Sequence, residues 1–115
     1  MLTLYGINNC DTVKKARTWL ESNGIDYRFH DLRSDGLAPK ELNGWVKALG
    51  WETVLNKKST TFRQLGEKQR SNLDVGKAVA LMLEYPTLIK RPVLCRGKQV
   101  VVGFDPHSYR EFCNA

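Results

Sequence analysis

The sequence predicts an α/β domain: a strand–helix–strand unit, an inserted block of helices, a β-hairpin and a final helix, with four strands in one mixed sheet. Three observations carry this expectation. Leu2-Thr-Leu-Tyr5 has strand alternation and breaks at Gly6 and the Asn8-Asn9 pair. Val13, Ala16 and Leu20 then recur at helical spacing. Near the other end, two runs of strand character, Val93 to Arg96 and Gln99 to Gly103, flank Gly97-Lys98, a tight hairpin turn. A chain of 115 residues suits one domain, 1–115, with a hydrophobic core.

The first helix is expected from Asp11 to Ser22, with Lys14, Lys15 and Arg17 partly outside its apolar stripe, and Asn23-Gly24 supplies the stop. Ile25 to Leu32 alternates as a second strand, parallel to the first through a right-handed crossover. His30 lies in its polar phase and reads as a surface residue. Arg33-Ser-Asp-Gly36 is a turn cluster. Pro39 suits the first position of a helix through Leu49, with Leu42, Trp45, Val46 and Leu49 on one face and Gly50 at its end. Residues 51–70 are the least regular stretch, with short helices expected at 53–56 and 61–65 around Lys57-Lys58-Ser59. Asp74 caps a helix from Val75 to Glu84, with Val75, Val79, Met82 and Leu83 facing in. Residues of about 38 to 84 thus form a helical insertion, and Pro86 ends it. Asp105 and Pro106 start a last helix that runs to Cys113. Pro92 stands at the entry to the third strand, where a central-strand proline is normally excluded, and points to a special turn for which a cis bond is the candidate.

Composition excludes several classes. Charged residues at 26% and hydrophobic ones at 42% describe an ordinary soluble chain. No run approaches the ~18 apolar residues that a membrane span needs. The opening Met1-Leu-Thr-Leu moves directly into strand pattern, without a charged region or cleavage site for export. Three widely spaced cysteines form no disulfide framework, so a cytoplasmic location with reduced thiols is expected. The same cysteines, with His30 and His107, give no metal-ligand spacing, and no bound cofactor is implied. The net charge of +6 is spread along the chain rather than gathered in blocks. It therefore favours an anionic small substrate or an acidic protein surface over specific nucleic-acid binding.

Cys10 is the candidate nucleophile. It sits where a strand ends and a helix begins, where unpaired backbone N–H groups and the helix dipole stabilise a thiolate. Lys14, one turn on, adds positive charge on about the same face, and Asp11 opposes it. Cys95, beside Val93 on the third strand, reads as core, and Cys113 as incidental.

The element order, with a cysteine at the first strand-to-helix junction and a proline before the third strand, resembles a thioredoxin fold with a helical insertion. The wording is similar to the ArsC-like family of arsenate reductases, Spx transcriptional regulators and YffB-type proteins. The matching pieces are Thr3 to Tyr5, Cys10 to Arg17, Lys58 to Phe62, Leu88 to Val93 and Val102 to Phe104, and the Asn-Asn-Cys-Asp-Thr version most resembles the YffB type. In arsenate reductases the resemblance implies a lone cysteine at position 10 and a cluster of arginines around the oxyanion. Arg91 matches one of these, whereas Asn56 and Gly103 occupy the other two positions, Gly6 replaces a histidine and Val13 a serine. A doubly ionised oxyanion needs several charge-assisted donors, so arsenate ranks low as a substrate. Spx proteins usually carry Cys-x-x-Cys here, and Val13 stands at the second cysteine.

A single activated cysteine attacks a disulfide and then needs an external thiol to resolve the adduct. The simplest such thiol in the cytosol is glutathione, so a glutathione-dependent thiol or disulfide reductase is expected, with glutathione as co-substrate. In a thioredoxin-like fold the loop before Pro92 faces the cysteine. Arg91 backbone groups would pair with an extended peptide, its guanidinium and Lys14 would hold a carboxylate, and Thr12 with the following N–H groups would complete an anion nest. The alternative is an Spx-like regulator that binds RNA polymerase without catalysis, and arsenate reduction comes third.

Overall fold

Burial alternates along the first strand: Leu2, Leu4 and Gly6 are buried while Thr3 and Tyr5 are half-buried. The structure, a computed structural model, describes residues 2–114. These form two compact units, one of the residues up to Asp35 together with those from Arg91 onward, the other of Gly36–Lys90.

In the first unit, β1 (Leu2–Gly6) leads through Cys10 into α1 (Asp11–Ser22) and back along β2 (Tyr27–Asp31). After the second unit the chain re-enters as β3 (Val93–Arg96), turns into β4 (Gln99–Val102) and ends in α7 (Pro106–Asn114). The sheet order is β2-β1-β3-β4, with β1 and β2 parallel and the other pairs antiparallel. This is the four-stranded mixed sheet of a thioredoxin-like fold. Ala16 and Leu20 of α1 and Tyr109 of α7 pack with Leu2, Leu4 and Leu94 in a fully enclosed cluster, ringed by Trp19, Phe29, Phe104 and Phe112. The expected α1 stripe of Val13, Ala16 and Leu20 is buried throughout. Asp105 caps α7 as expected, accepting from the Ser108 N–H at 3.0 Å and hydroxyl at 2.9 Å.

Strand alternation turns Thr3, Tyr5, His30, Cys95 and Val100 to the opposite sheet face. His30 is half-buried there, its ring 4.7 Å from that of Tyr5. Cys95, expected in the core, is also half-buried, because Leu94 takes the core phase of β3. The second strand is two residues shorter at its start than the sequence suggests.

The second unit is built from α2 (Pro39–Leu49), α3 (Trp51–Val54), α4 (Thr60–Gln64), α5 (Glu67–Arg70) and α6 (Val75–Glu84). Single turns of helix in the irregular stretch lie one or two residues earlier than expected, and α5 had no signal at all. Asp74 caps α6 through the Lys77 N–H at 2.8 Å. Val75, expected to face in, is 54% exposed. It is the first residue of α6, and the buried stripe is Ala78, Leu81 and Met82, of which Met82 is as expected. An isolated antiparallel bridge, Leu55 to Ile89, closes this unit, with Asn56 N–H donating to Leu88 and Lys90 N–H to Val54, both at 2.8 Å. Among the described residues no helix is long and apolar enough to cross a membrane.

Candidate functional site

Three chain segments meet at one edge of the sheet, and the topology dictates which. Because β1 and β2 are parallel, the loops that follow them leave the sheet at the same end. Because β3 runs antiparallel to β1, the segment that precedes it arrives at that end. Cys10 follows β1, Arg33 follows β2, and Arg91 and Pro92 precede β3.

Cys10 is the N-cap residue of α1, in extended conformation (φ −123°, ψ 120°), and its side chain makes no capping hydrogen bond. Its carbonyl accepts the first helical bond, from Lys14 N–H at 3.0 Å. The sulfur is therefore free of a cap role, beside N–H groups of the first turn that helix geometry leaves unpaired. The thiol is half-buried rather than enclosed.

Arg91 is half-buried and joined to Pro92 by a cis peptide bond, as the strand-entry proline suggested. Burial pushes its guanidinium below the usual arginine range. Electrostatic interaction with Cys10 acts in the opposite sense, and that with Arg33 adds to the lowering. Arginine stays protonated at neutral pH in any protein setting, so the information here is proximity. The segments that carry Arg91, Cys10 and Arg33 share one end of the sheet, where their charges act on one another. Its Nη1 atom is buried and has no hydrogen-bond partner.

The Arg91 backbone is held from the core. The Pro92 carbonyl accepts from Gly103 N–H at 2.8 Å, and the Gly103 carbonyl accepts from the Tyr109 hydroxyl at 2.8 Å. Gly103 has φ 81°, a left-handed conformation in which a glycine is the least strained residue. Gly103 is thus the middle of a hydrogen-bonded link from Tyr109 of α7 to the Pro92 carbonyl.

The other expected site residues are less engaged. Thr12 and Lys14 are exposed in the first turns of α1, and among the described residues their side chains have no hydrogen-bond or ion-pair partner. Their backbones lie beside Cys10, and nothing ties their side chains to it. Asn56, within its own loop in the second unit, accepts from Lys58 N–H at 3.1 Å through its amide oxygen. Gly6 and Val13 are matched to each other. A β-carbon at position 6 would lie 2.8 and 2.9 Å from the two Val13 methyls.

Arg33, for which the sequence offers only a turn cluster from Arg33 to Gly36, follows β2 at this same end of the sheet. Parallel pairing of β1 with β2 was the signal that could have found it, since it sends residue 33 to the end of the sheet where Cys10 lies. Its backbone is fixed by Asp31, whose Oδ1 accepts from Arg33 N–H at 2.8 Å and Ser34 N–H at 3.2 Å. Asp35 Oδ2 in turn accepts from Asp31 N–H at 3.0 Å. Among the described residues no group of three His, Cys, Asp or Glu side chains could hold a metal ion.

The model of the ArsC family matches residues 5–112. The chain superposes on the solved structure of a YffB protein with a TM-score of 0.95 at 48% identity, covering 98% of this chain and 99% of that one. An arsenate reductase (ArsC) related protein from Brucella melitensis is 50% identical, with a TM-score of 0.78 over 96% of this chain and 92% of its own. Among curated relatives, global transcriptional regulator Spx 2 of Bacillus anthracis is 28% identical over 97% of this chain and 86% of its own length.

Proposed function

The chain belongs to the ArsC family, and we propose that it is a glutathione-dependent thiol or disulfide reductase with Cys10 as nucleophile. The observation that carries this reading is the pairing of an uncommitted sulfur at a helix N-terminus with a half-buried arginine whose Nη1 lacks an acceptor. A structural ion pair would have supplied a carboxylate at that position. A site awaiting an anion leaves it open.

The chemistry runs in two exchanges. In the first, the Cys10 thiolate attacks the glutathione sulfur of a mixed disulfide. A bond forms between Sγ and that sulfur, the original sulfur–sulfur bond breaks, and the substrate leaves as a thiolate. In the second, a glutathione thiolate attacks the sulfur carried by Cys10, releasing oxidised glutathione and restoring the Cys10 thiolate. Arg91 and Lys14 stabilise negative charge beside the reacting sulfur and hold a carboxylate of the tripeptide. Thr12 and the N–H groups after Cys10 complete the anion nest, and the turn at Pro92 presents backbone groups to the extended peptide. Glutathione is a co-substrate, with no resident cofactor required.

Mixed-disulfide formation with oxidised glutathione, read by intact mass and peptide mapping, tests the reading. The expected adduct is on Cys10, is absent in Cys10→Ser, and forms at least tenfold more slowly in Arg91→Ala, as the loss of about 1.4 kcal/mol of charge stabilisation implies. Failure of wild-type protein to form an adduct at Cys10 overturns it.

The second reading is a regulator that binds RNA polymerase without catalysis, favoured by the similarity to Spx along nearly the whole chain. Co-purification of RNA polymerase with both the wild-type and Cys10→Ser proteins, without adduct formation, supports it. Arsenate reduction ranks below both, because positions 56 and 103 supply no guanidinium.

A further inference from the structure

The charge arrangement at the edge of the sheet has an unbalanced feature. Two guanidinium groups, Arg33 and Arg91, are within electrostatic reach of one another and repel. Among the described residues neither forms an ion pair with a carboxylate, although Asp31 and Asp35 are close in sequence to Arg33. Those two carboxylates are engaged by backbone N–H groups of the turn. The turn thus fixes the Arg33 backbone while leaving its exposed guanidinium uncommitted. Like charges held close without a counter-ion are unfavourable in the free protein and become favourable when an anion bridges or flanks them.

We propose that Arg33 is a second anion-recognising arginine of the Cys10 site, and that Arg33 and Arg91 together select small thiols or disulfides carrying two carboxylates over those carrying one. Topology supports the pairing independently of charge, since the parallel β1–β2 pair and the antiparallel β3 bring residues 33, 10 and 91 to one end of the sheet. The Leu32 N–H donates to the Gly6 carbonyl at 2.8 Å, extending the parallel pairing to the residue before Arg33. Arg91, half-buried with its Nη1 lacking a partner, takes one carboxylate. Arg33, exposed at the end of β2, takes the other. This inference rests on the thiol chemistry proposed above and adds to it the class of ligand.

S-methylglutathione, a thioether that cannot exchange, separates binding from reaction. It and its two monoethyl esters, one on each carboxylate, are titrated into wild-type protein and Arg33→Gln by chemical-shift perturbation at low ionic strength. Glutamine keeps the backbone N–H that Asp31 accepts, so the turn is retained. Arg33→Gln is expected to weaken the parent ligand and one ester about threefold, the size typical of an exposed ion pair, and to leave the other ester unaffected. Arg33→Lys should recover part of the loss. An equal effect on all three ligands, no effect on any, or no binding to wild-type protein overturns the proposal. The reductase reading is scored separately, by adduct formation at Cys10 with the uncharged bis(2-hydroxyethyl) disulfide. That reagent carries no carboxylate, so reactivity of the Cys10 thiol is read independently of either arginine's ligand, and the test with oxidised glutathione still decides the reductase reading.

Discussion

Replacing Tyr109 by phenylalanine removes one oxygen from the largest fully buried side chain among the described residues. Tyr109 has no exposed surface, and its ring meets Phe104 and Trp19 edge-on at 5.0 and 6.0 Å. Those aromatic contacts survive the change. What disappears is the 2.8 Å hydrogen bond to the Gly103 carbonyl. A buried hydrogen bond contributes about 1 kcal/mol net, and an acceptor left without a donor adds to the loss, so Tyr109→Phe should cost about 1–2 kcal/mol at pH 7. In urea, with a slope of about 1–2 kcal/mol/M for a chain of this size, the midpoint falls by about 1 M. The pH dependence is sharper evidence. Burial, with a smaller contribution from Cys113, raises the Tyr109 hydroxyl above its ordinary value. An acid whose folded pKa is raised contributes stability that is complete below the unfolded value of about 10 and is lost as pH climbs toward the folded one. Between about pH 10 and 11 wild-type protein therefore loses up to about 1.4 kcal/mol that the phenylalanine variant keeps. Tyr5, Tyr27 and Tyr85 are present in both proteins and cancel. Urea titrations at pH 7 and 11 should show a gap that nearly closes. A gap that is absent at pH 7, or equally wide at both, refutes the account of Tyr109 as a protonated, buried donor.

Gly6→Ala should destabilise by about 1–3 kcal/mol through collision with Val13. In thermal or urea unfolding the double variant with Val13→Ala should lose less than the sum of the single losses, by about 1 kcal/mol. Ser108 holds the carboxyl of Asp105 below its usual value, so the cap's contribution is complete above about pH 4 and is lost as pH falls through the depressed value. Asp105→Ala should lower the melting temperature at pH 7, and the difference from wild type should shrink on acidification. Cys95→Ala and Cys113→Ala, measured by the mass assay, should form the Cys10 adduct at the wild-type rate, since neither sulfur belongs to the edge where Cys10 lies.

The parts of the fold that were legible in the sequence are those where a local pattern and the tertiary structure agree. Alternation in Leu2 to Tyr5, the three-residue stripe of α1, the hairpin turn at Gly97 and the caps Asp74 and Asp105 are such cases. Pro92 was legible because a proline is rare at that position. The helices between Trp51 and Arg70 are single turns, too short to show a period, and so were displaced or missed. Val75 misled because a first-turn residue satisfied the apolar count while lying off the buried stripe. For the site, the sequence points to Cys10 and Arg91, and the pairing of β1 with β3 sends the segments that carry them to one end of the sheet. Thr12 and Lys14 followed from helix position alone, which fixes a backbone without fixing where a long side chain rests. Arg33 needed long-range pairing, a relation that no local window contains.

The close approach of Gly6 and Val13 also constrains how such a chain can change through inheritance. A side chain at position 6 and the two methyls at position 13 compete for the same space. Enlarging position 6 alone costs a clash and shrinking position 13 alone costs a cavity, each about 1–3 kcal/mol. The two positions are therefore energetically coupled, and changing both together costs less than the two separate changes summed.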